Sequence, residues 1–260
     1  MSERPWLERF GDDDTAPPWV LLHGFTGAAS SMAALALALA PAAAPHLPGH
    51  HPALAVQPGF AANARALTAE IEAAGVAPPW RLCGYSLGAR VALAISAASP
   101  ERVAELWLVG GHPGLSTEEE RAARRQKDAE LAARLRSDGI VAFVDMWEAL
   151  PLFASQASVS AHDWEAQRRV RLAHDAGALA RSLEEMGQGA MPDYRATIAA
   201  LAPRTHLVVG ALDSSRLQLM HDLAADTGAH LHVVHGAGHN VPLEEPAALA
   251  ALLGDYSRAG

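Results

Sequence analysis

Leu82-Cys83-Gly84-Tyr85-Ser86-Leu87-Gly88-Ala89-Arg90-Val91-Ala92-Leu93 decides how the rest of the chain is read. Trp80-Arg81-Leu82-Cys83 is a short apolar run of strand character, and the residues after Ser86 open a helix over 86–98 that stops near Pro100. Between them, Gly84-x-Ser86-x-Gly88 has the form of a nucleophile elbow. Such a strand-to-helix turn is so tight that small residues must flank the serine, whose hydroxyl is then presented at the carboxyl edge of a sheet. The same residues also suit a plain glycine-rich turn with Ser86 as a helix N-cap. Only partners elsewhere in the chain separate the two readings.

The flanking sequence has the texture such a turn requires. Val20-Leu21-Leu22-His23 and Leu106-Trp107-Leu108-Val109 are apolar runs closed by glycine, with a helical stretch at 61–75 between the first run and the elbow. Strands separated by helices of this length imply a parallel sheet covered on its faces. From about 112 to 198 strand-like runs vanish and charge crowds in, as in Glu118-Glu119-Glu120-Arg121, which reads as several helices with Thr117 as an N-cap. After Pro203 the first texture returns: Thr205 to Val209, a helix over 214–226, His230 to Val234, and a closing helix from Pro246. The expected organisation is an α/β core formed by 1–111 and 199–260, interrupted by a helical cap over 112–198. The alanine-rich 28–44 stretch reads as compositional bias.

A serine hydroxyl needs a base at neutral pH, and the base needs an orienting carboxylate. Asp213 lies just past the strand ending Val208-Val209-Gly210, and His239 just past the last strand, in His235-Gly236-Ala237-Gly238-His239-Asn240. The chain order Ser86, Asp213, His239 is that of an α/β-hydrolase fold with a mostly parallel central sheet. His235 competes for the base position. His23-Gly24-Phe25 ends the first strand at the same sheet edge, so the backbone N–H groups of Phe25 and Leu87 are candidates for an oxyanion hole.

Composition bounds the partners. The 260 residues are 50% hydrophobic and 19% charged, which supports a sizeable core and argues against disorder. A formal net charge of −9 gives no general attraction to a phosphate backbone, so nucleic acid is not an expected partner. The longest apolar stretch, Met32 to Ala44, is broken by Pro41 and is shorter than the roughly 20 residues a bilayer requires. The start, Met1-Ser2-Glu3-Arg4-Pro5 followed by Asp12-Asp13-Asp14, lacks the basic and apolar segments of a signal peptide. The single Cys83, in an apolar strand, suits a buried thiol in a reducing compartment. These features point to the cytoplasm and to no membrane partner; a monomer or weak homo-oligomer is the expected state, which none of these features tests. No Cys/His spacing suggests a metal site, and no cofactor is expected.

Arg90 stands one helical turn after Ser86. Residues 112–195 hold 11 of the 20 basic residues against 14 acidic ones, so only arginines aimed inward would make the site cationic. Convergent guanidinium groups would mark an anionic ligand, because they bind carboxylates bidentately.

The chain also resembles the MenH family over nearly its whole length. The resemblance is carried by Leu22-His23-Gly24-Phe25-Thr26-Gly27, by the elbow with Arg90, and by Gly111-His112-Pro113-Gly114-Leu115. It extends through Glu118 to Arg124, Pro151-Leu152-Phe153-Ala154-Ser155, Met186-Gly187-Gln188-Gly189, and Ala237-Gly238-His239-Asn240. Members are 2-succinyl-6-hydroxy-2,4-cyclohexadiene-1-carboxylate synthases of menaquinone biosynthesis. The resemblance implies a lyase that removes a proton from 2-succinyl-5-enolpyruvoyl-6-hydroxy-3-cyclohexene-1-carboxylate and eliminates pyruvate, with Ser86 as base. It implies a tricarboxylate substrate held by Arg90, Arg124 and Arg171, with Tyr85, Trp147 and Phe153 around the ring. Arg168 and Arg169 lie close enough to Arg171 to share its assignment, and Trp147 and Phe153 also suit plain packing. Departures from the family's pattern are His50-His51 after Leu47-Pro48-Gly49, Ala173-His174-Asp175, and Ser214-Ser215-Arg216 after Asp213 in place of a lysine-phenylalanine pair. Two other readings of the same residues are a carboxylesterase or C–C bond hydrolase with Ser86 as true nucleophile, and a noncatalytic receptor on the same fold.

Overall fold

The computed structural model describes residues 4–11 and 17–259; Met1 to Glu3 and Asp12-Asp13-Asp14, used above in the reading of the N-terminus, lie outside the described residues. Among the described residues one sheet is built from β1 (Leu7–Phe10), β2 (Trp19–Leu22), β3 (Ala42–Pro45), β4 (Trp80–Tyr85), β5 (Val103–Val109), β6 (Thr205–Gly210) and β7 (His230–Val234). Their order is β1-β3-β2-β4-β5-β6-β7, and every neighbouring pair is parallel except β1 with β3. The helices are α1 (Ala33–Leu39), α2 (Phe60–Ala73), α3 (Leu87–Ala98), α4 (Glu118–Glu148), α5 (Ala161–Leu172), α6 (Ala176–Met186), α7 (Arg195–Ala200), α8 (Ser214–Thr227), α9 (Val241–Glu244) and α10 (Pro246–Ala259).

Strand alternation divides the core into two layers. Leu82, Leu106, Leu108, Leu207 and Val209 face one side and pack with Phe60, Leu67, Val91 and Leu223 of α2, α3 and α8. Cys83, Trp107, Val109 and Val208 face the other and pack with Leu35 of α1 and Leu249 and Leu253 of α10. The central strands are therefore apolar on both faces, which is why their sequences read as unbroken hydrophobic runs. Each large aliphatic or phenyl side chain fully buried here, such as Leu82 or Phe60, contributes about 1.5–3 kcal/mol by leaving water.

The helices expected at 61–75, 86–98, 214–226 and from Pro246 are α2, α3, α8 and α10. Two strands, β1 and β3, were not anticipated. Ala42-Ala43-Ala44-Pro45 forms β3, wholly buried between β1 and β2. Alanine favours helix intrinsically, and it is the pairing with β1 and β2 on either side that holds this segment extended.

Between β5 and β6 there is no strand among the described residues, but α4 to α7 and a 3₁₀ segment over Pro151–Ser158. Thr117 caps α4 in a reciprocal box: its hydroxyl accepts the Glu120 N–H and the Glu120 carboxylate accepts the Thr117 N–H, both at 3.1 Å. At Gly139 (φ 78°, ψ 176°) α4 is kinked. Its two halves pack with α6 through Leu135, Phe143, Leu179 and Leu183, against which Phe25 of the sheet edge also leans. Among the described residues no helix is long and apolar enough to cross a membrane.

Candidate active site

β4 ends at Tyr85, α3 begins at Leu87, and Ser86 joins them at φ 52° and ψ −105°, a conformation rare for any residue with a side chain. The flanking glycines are required by contact. A Cβ on Gly84 would stand 2.3 Å from the backbone of Gly88, and one on Gly88 would stand 2.1 Å from the Leu22 carbonyl oxygen. The turn is tied to the sheet by the Ser86 N–H, which donates to the Val109 carbonyl at 2.9 Å.

Asp213 follows β6 and caps α8. Its Oδ2 lies 2.7 Å from His239 Nδ1, and His239 Nε2 lies 3.2 Å from Ser86 Oγ. With Nδ1–H donated to the carboxylate, Nε2 is left as the acceptor for the serine proton. The other oxygen of Asp213 accepts the Ser215 hydroxyl at 2.9 Å and the Arg216 backbone N–H at 3.2 Å. Burial works to raise this carboxyl, and the His239, Ser215 and Arg216 interactions outweigh it, leaving Asp213 below its ordinary value. Asp213 and His239 are buried, whereas His235 is exposed, which separates the two histidine candidates.

A cavity of about 140 Å³ opens on Ser86 and His239. Phe25 and Leu87 border it; Leu87 is the first residue of α3, so its N–H is one of the leading donors a helix cannot pair internally. Tyr85, Trp147 and Phe153 line the same cavity, as do Arg90 and Arg124. Arg90 donates to the Met186 carbonyl at 3.0 Å, and burial followed by the charge of Arg124 pulls its guanidinium down to about 9, still cationic near neutrality. Arg124 donates to Asp128 at 2.8 Å and to Gln188 at 2.7 Å. Trp147 stacks on Phe143 with ring centroids 5.5 Å apart, and among the described residues its buried indole N–H has no partner.

Arg171 occupies a neighbouring position. It is 4% exposed, donates to Glu148 at 2.9 Å, and lies over the Phe153 ring at 5.4 Å. It lines a second cavity of about 330 Å³ that shares Phe25, Tyr85 and Phe153 with the first. Arg168 pairs with Asp145 and Glu148, and Arg169 is exposed, so Arg171 is the inward member of the three.

Among the titratable residues of the cavity wall, sequence reasoning gave no site role to His112 and Arg216. His112 follows Gly110-Gly111 after β5 and so obeys the same strand-end rule as Ser86 and Asp213. Burial, then Arg216, Arg90, Arg195 and Arg124, push it down to about 3, and its Nδ1 accepts the Gly114 N–H at 3.1 Å. It is therefore a neutral ring in a cationic wall. Among the described residues no group of three or more His, Cys, Asp or Glu is placed to hold a metal ion.

A mostly parallel sheet carrying Ser86, Asp213 and His239 at its carboxyl edge, beneath helices inserted between β5 and β6, defines a protein of the α/β-hydrolase fold. A model of the alpha/beta hydrolase family matches residues 19–252. The chain is 33% identical over 246 residues to the 2-succinyl-6-hydroxy-2,4-cyclohexadiene-1-carboxylate synthase of Salmonella agona, covering 94% of each chain. The synthase of Salmonella heidelberg is 32% identical over the same share of both chains. The chain thus belongs to the alpha/beta hydrolase family and, within it, to the 2-succinyl-6-hydroxy-2,4-cyclohexadiene-1-carboxylate synthases. The structure of MenH from S. aureus shares the fold, with a TM-score of 0.89 at 22% identity over 98% of this chain and 99% of that one. A thermophilic esterase from Thermogutta terrifontis superposes with a TM-score of 0.82 at 25% identity, over 97% and 92% of the two chains.

Proposed function

We propose that the chain is a lyase of menaquinone biosynthesis, converting 2-succinyl-5-enolpyruvoyl-6-hydroxy-3-cyclohexene-1-carboxylate to 2-succinyl-6-hydroxy-2,4-cyclohexadiene-1-carboxylate and pyruvate. The observation that carries this reading is a Ser–His–Asp relay opening into a cavity walled by guanidinium groups. A nucleophile for neutral esters has no need of such a wall; a base acting on a tricarboxylate does.

His239, oriented by Asp213, draws the proton from Ser86 Oγ, and the oxygen so activated takes the proton from the ring carbon that bears the succinyl group. The electron pair of that C–H bond passes toward the succinyl ketone, whose oxygen becomes anionic between the N–H groups of Phe25 and Leu87. It then forms a ring double bond while the existing one shifts by one position. The C–O bond to the enolpyruvoyl group breaks, and the departing enolpyruvate takes a proton on carbon to become pyruvate. The same kit serves acyl transfer, because both reactions place an oxyanion beside a deprotonated serine. What differs is the ligand that the cavity selects.

Arg90 and Arg124 are assigned to the substrate carboxylates, Arg171 to a carboxylate reaching the second cavity, and Tyr85, Trp147 and Phe153 to the ring. Residues 112–198 are assigned as a cap that closes over the sheet edge. The buried Cys83, whose thiol desolvation raises to about 12, is unreactive and suits a cytoplasmic enzyme; the enzyme is assigned as a monomer or weak homo-oligomer.

Pyruvate release from enzymatically generated substrate, followed by coupled reduction with lactate dehydrogenase, tests the reading. Wild type is expected to run far above the spontaneous rate. Ser86→Ala and His239→Ala are each expected to lose on the order of 10³-fold or more while staying folded. Wild-type release at the background rate, with rapid turnover of aryl esters through a trappable acyl-Ser86, moves the assignment to an esterase.

A further inference from the structure

Arg216 is placed against two local preferences. It lies in the first turn of α8, where a cation opposes the helix dipole. Its neighbours across the cavity include Arg124, of like charge, and burial together with that charge outweighs the attraction of Asp213 and lowers the guanidinium below its ordinary value. The adjacent Asp213 is already committed, one oxygen to His239 and the other to the Ser215 hydroxyl and the Arg216 backbone N–H. Among the described residues the Arg216 side chain has no ion pair or hydrogen bond, and its Nε is fully buried without a partner. Buried donors are paired in the great majority of cases, so an orphaned one in a cavity wall calls for an explanation.

The other inward arginines do not share this state. Arg90 is engaged with the Met186 carbonyl, Arg124 with Asp128 and Gln188, and Arg171 with Glu148. Their charges or donors are partly used within the protein. Arg216 retains its whole planar fork, in the same cavity as Ser86 and His239. A fork of this kind matches the two oxygens of a carboxylate.

We propose that Arg216 is a specificity-determining residue that binds one carboxylate of the reacting substrate directly, completing with Arg90 and Arg124 a three-guanidinium anion site beside the triad. The inference rests on the lyase reading for its substrate and on the cavity alone for its chemistry. A carboxylate in the cavity gives the guanidinium the charged partner that the protein withholds and relieves the repulsion from Arg124. Among the described residues no carboxylate lines this cavity; Arg124 pairs with Asp128 behind it, and Arg216 feels the attraction of the committed Asp213.

The test uses Arg216→Gln and Arg216→Lys in the full chain, with two readouts. One is KM and kcat for pyruvate release; the other is calorimetric binding of propane-1,2,3-tricarboxylate, which needs no turnover. Arg216→Gln is expected to raise both KM and the tricarboxylate Kd by about tenfold or more, with kcat within about threefold, and lysine to recover part of each loss. Equal KM and equal affinity in Arg216→Gln and wild type overturn the proposal, as does a wild type that does not bind the tricarboxylate. An effect confined to kcat with a displaced acid limb of the pH profile also overturns it, and assigns Arg216 to Asp213 instead. A wild type that binds the tricarboxylate through Arg216 yet releases no pyruvate leaves the anion site standing and removes the lyase reading alone.

Discussion

Ser86 holds its hydroxyl in place through a backbone that resists it. At φ 52° and ψ −105° a residue with a Cβ carries a strain of about 1–3 kcal/mol, balanced by the pairing of β4 with β2 and β5 and by the start of α3. The strain belongs to the Cβ and the chemistry to the Oγ, so substitutions separate them. Ser86→Ala removes the hydroxyl and keeps the strain; Ser86→Gly removes both. Chemical denaturation is therefore expected to find Ser86→Gly more stable than Ser86→Ala by on the order of 1 kcal/mol, with neither releasing pyruvate. Equal stabilities would mean that the turn relaxes around alanine. The elbow was legible because its demands are local: small residues at two fixed positions, a strand before and a helix after. Arg216 was not, because a cation three residues after an aspartate is ordinary on a solvated helix face. Only the packing of α8 against the cavity makes it an orphan.

At the scale of elements, α4 is where reading and structure part most usefully. Its start was legible in Thr117 and the three glutamates that follow, and its charged texture marked helix rather than strand. Its kink was not. Gly139 lies within an otherwise helical stretch, where a glycine is commonly tolerated; the structure puts it at φ 78° and ψ 176°, a region open almost solely to glycine. The kink sets Arg124 on one half of α4 and Phe143 and Trp147 on the other, all turned toward the sheet edge. Gly139 has open space where a Cβ would stand, so alanine is opposed by the backbone alone. Gly139→Ala is expected to cost about 1–3 kcal/mol in thermal or urea unfolding, and to lower kcat/KM by misaligning the two halves. Unchanged stability and unchanged kinetics together would show that the kink is incidental. The missed strands have a related origin: β3 is three alanines and a proline, whose strand conformation comes from β1 and β2 on either side rather than from its own side chains.

Across the whole molecule, buried histidines tie the site's loops together and make the fold sensitive to acid. His23 accepts the Leu47 N–H at 3.0 Å through Nε2 and donates through Nδ1 to the Gly24 carbonyl at 2.8 Å. His50 accepts the Thr26 N–H at 3.3 Å and donates to the Pro48 carbonyl at 3.2 Å. His174, from the segment between β5 and β6, meets the Thr26 carbonyl at 3.2 Å. Phe25, a candidate oxyanion donor, stands between residues whose backbone groups are held by neutral rings. Burial pushes His23 down to about 3 and His46 down to about 4, and lowers His50 and His174 as well. In the unfolded chain these groups titrate near about 6.5, so between that pH and their folded values the unfolded state binds more protons. Stability is therefore full above about pH 6.5 and falls as the pH drops, by up to about 1.4 kcal/mol per pH unit for the fully buried His23. Asp213 does not produce this loss: its folded value is lowered, so its contribution stays intact until the pH nears the ordinary aspartate value of about 3.9. Urea unfolding is expected to show a midpoint that is level from pH 8 to 7 and declines steadily from about 6.5 to 5. A midpoint that stays level to pH 5 would require these rings to be protonated in the native state, which their acceptor role toward the Leu47 and Thr26 N–H groups forbids. The decline should extend to the site, with pyruvate release lost in parallel with the native fraction as the loop carrying Phe25 loses its anchors.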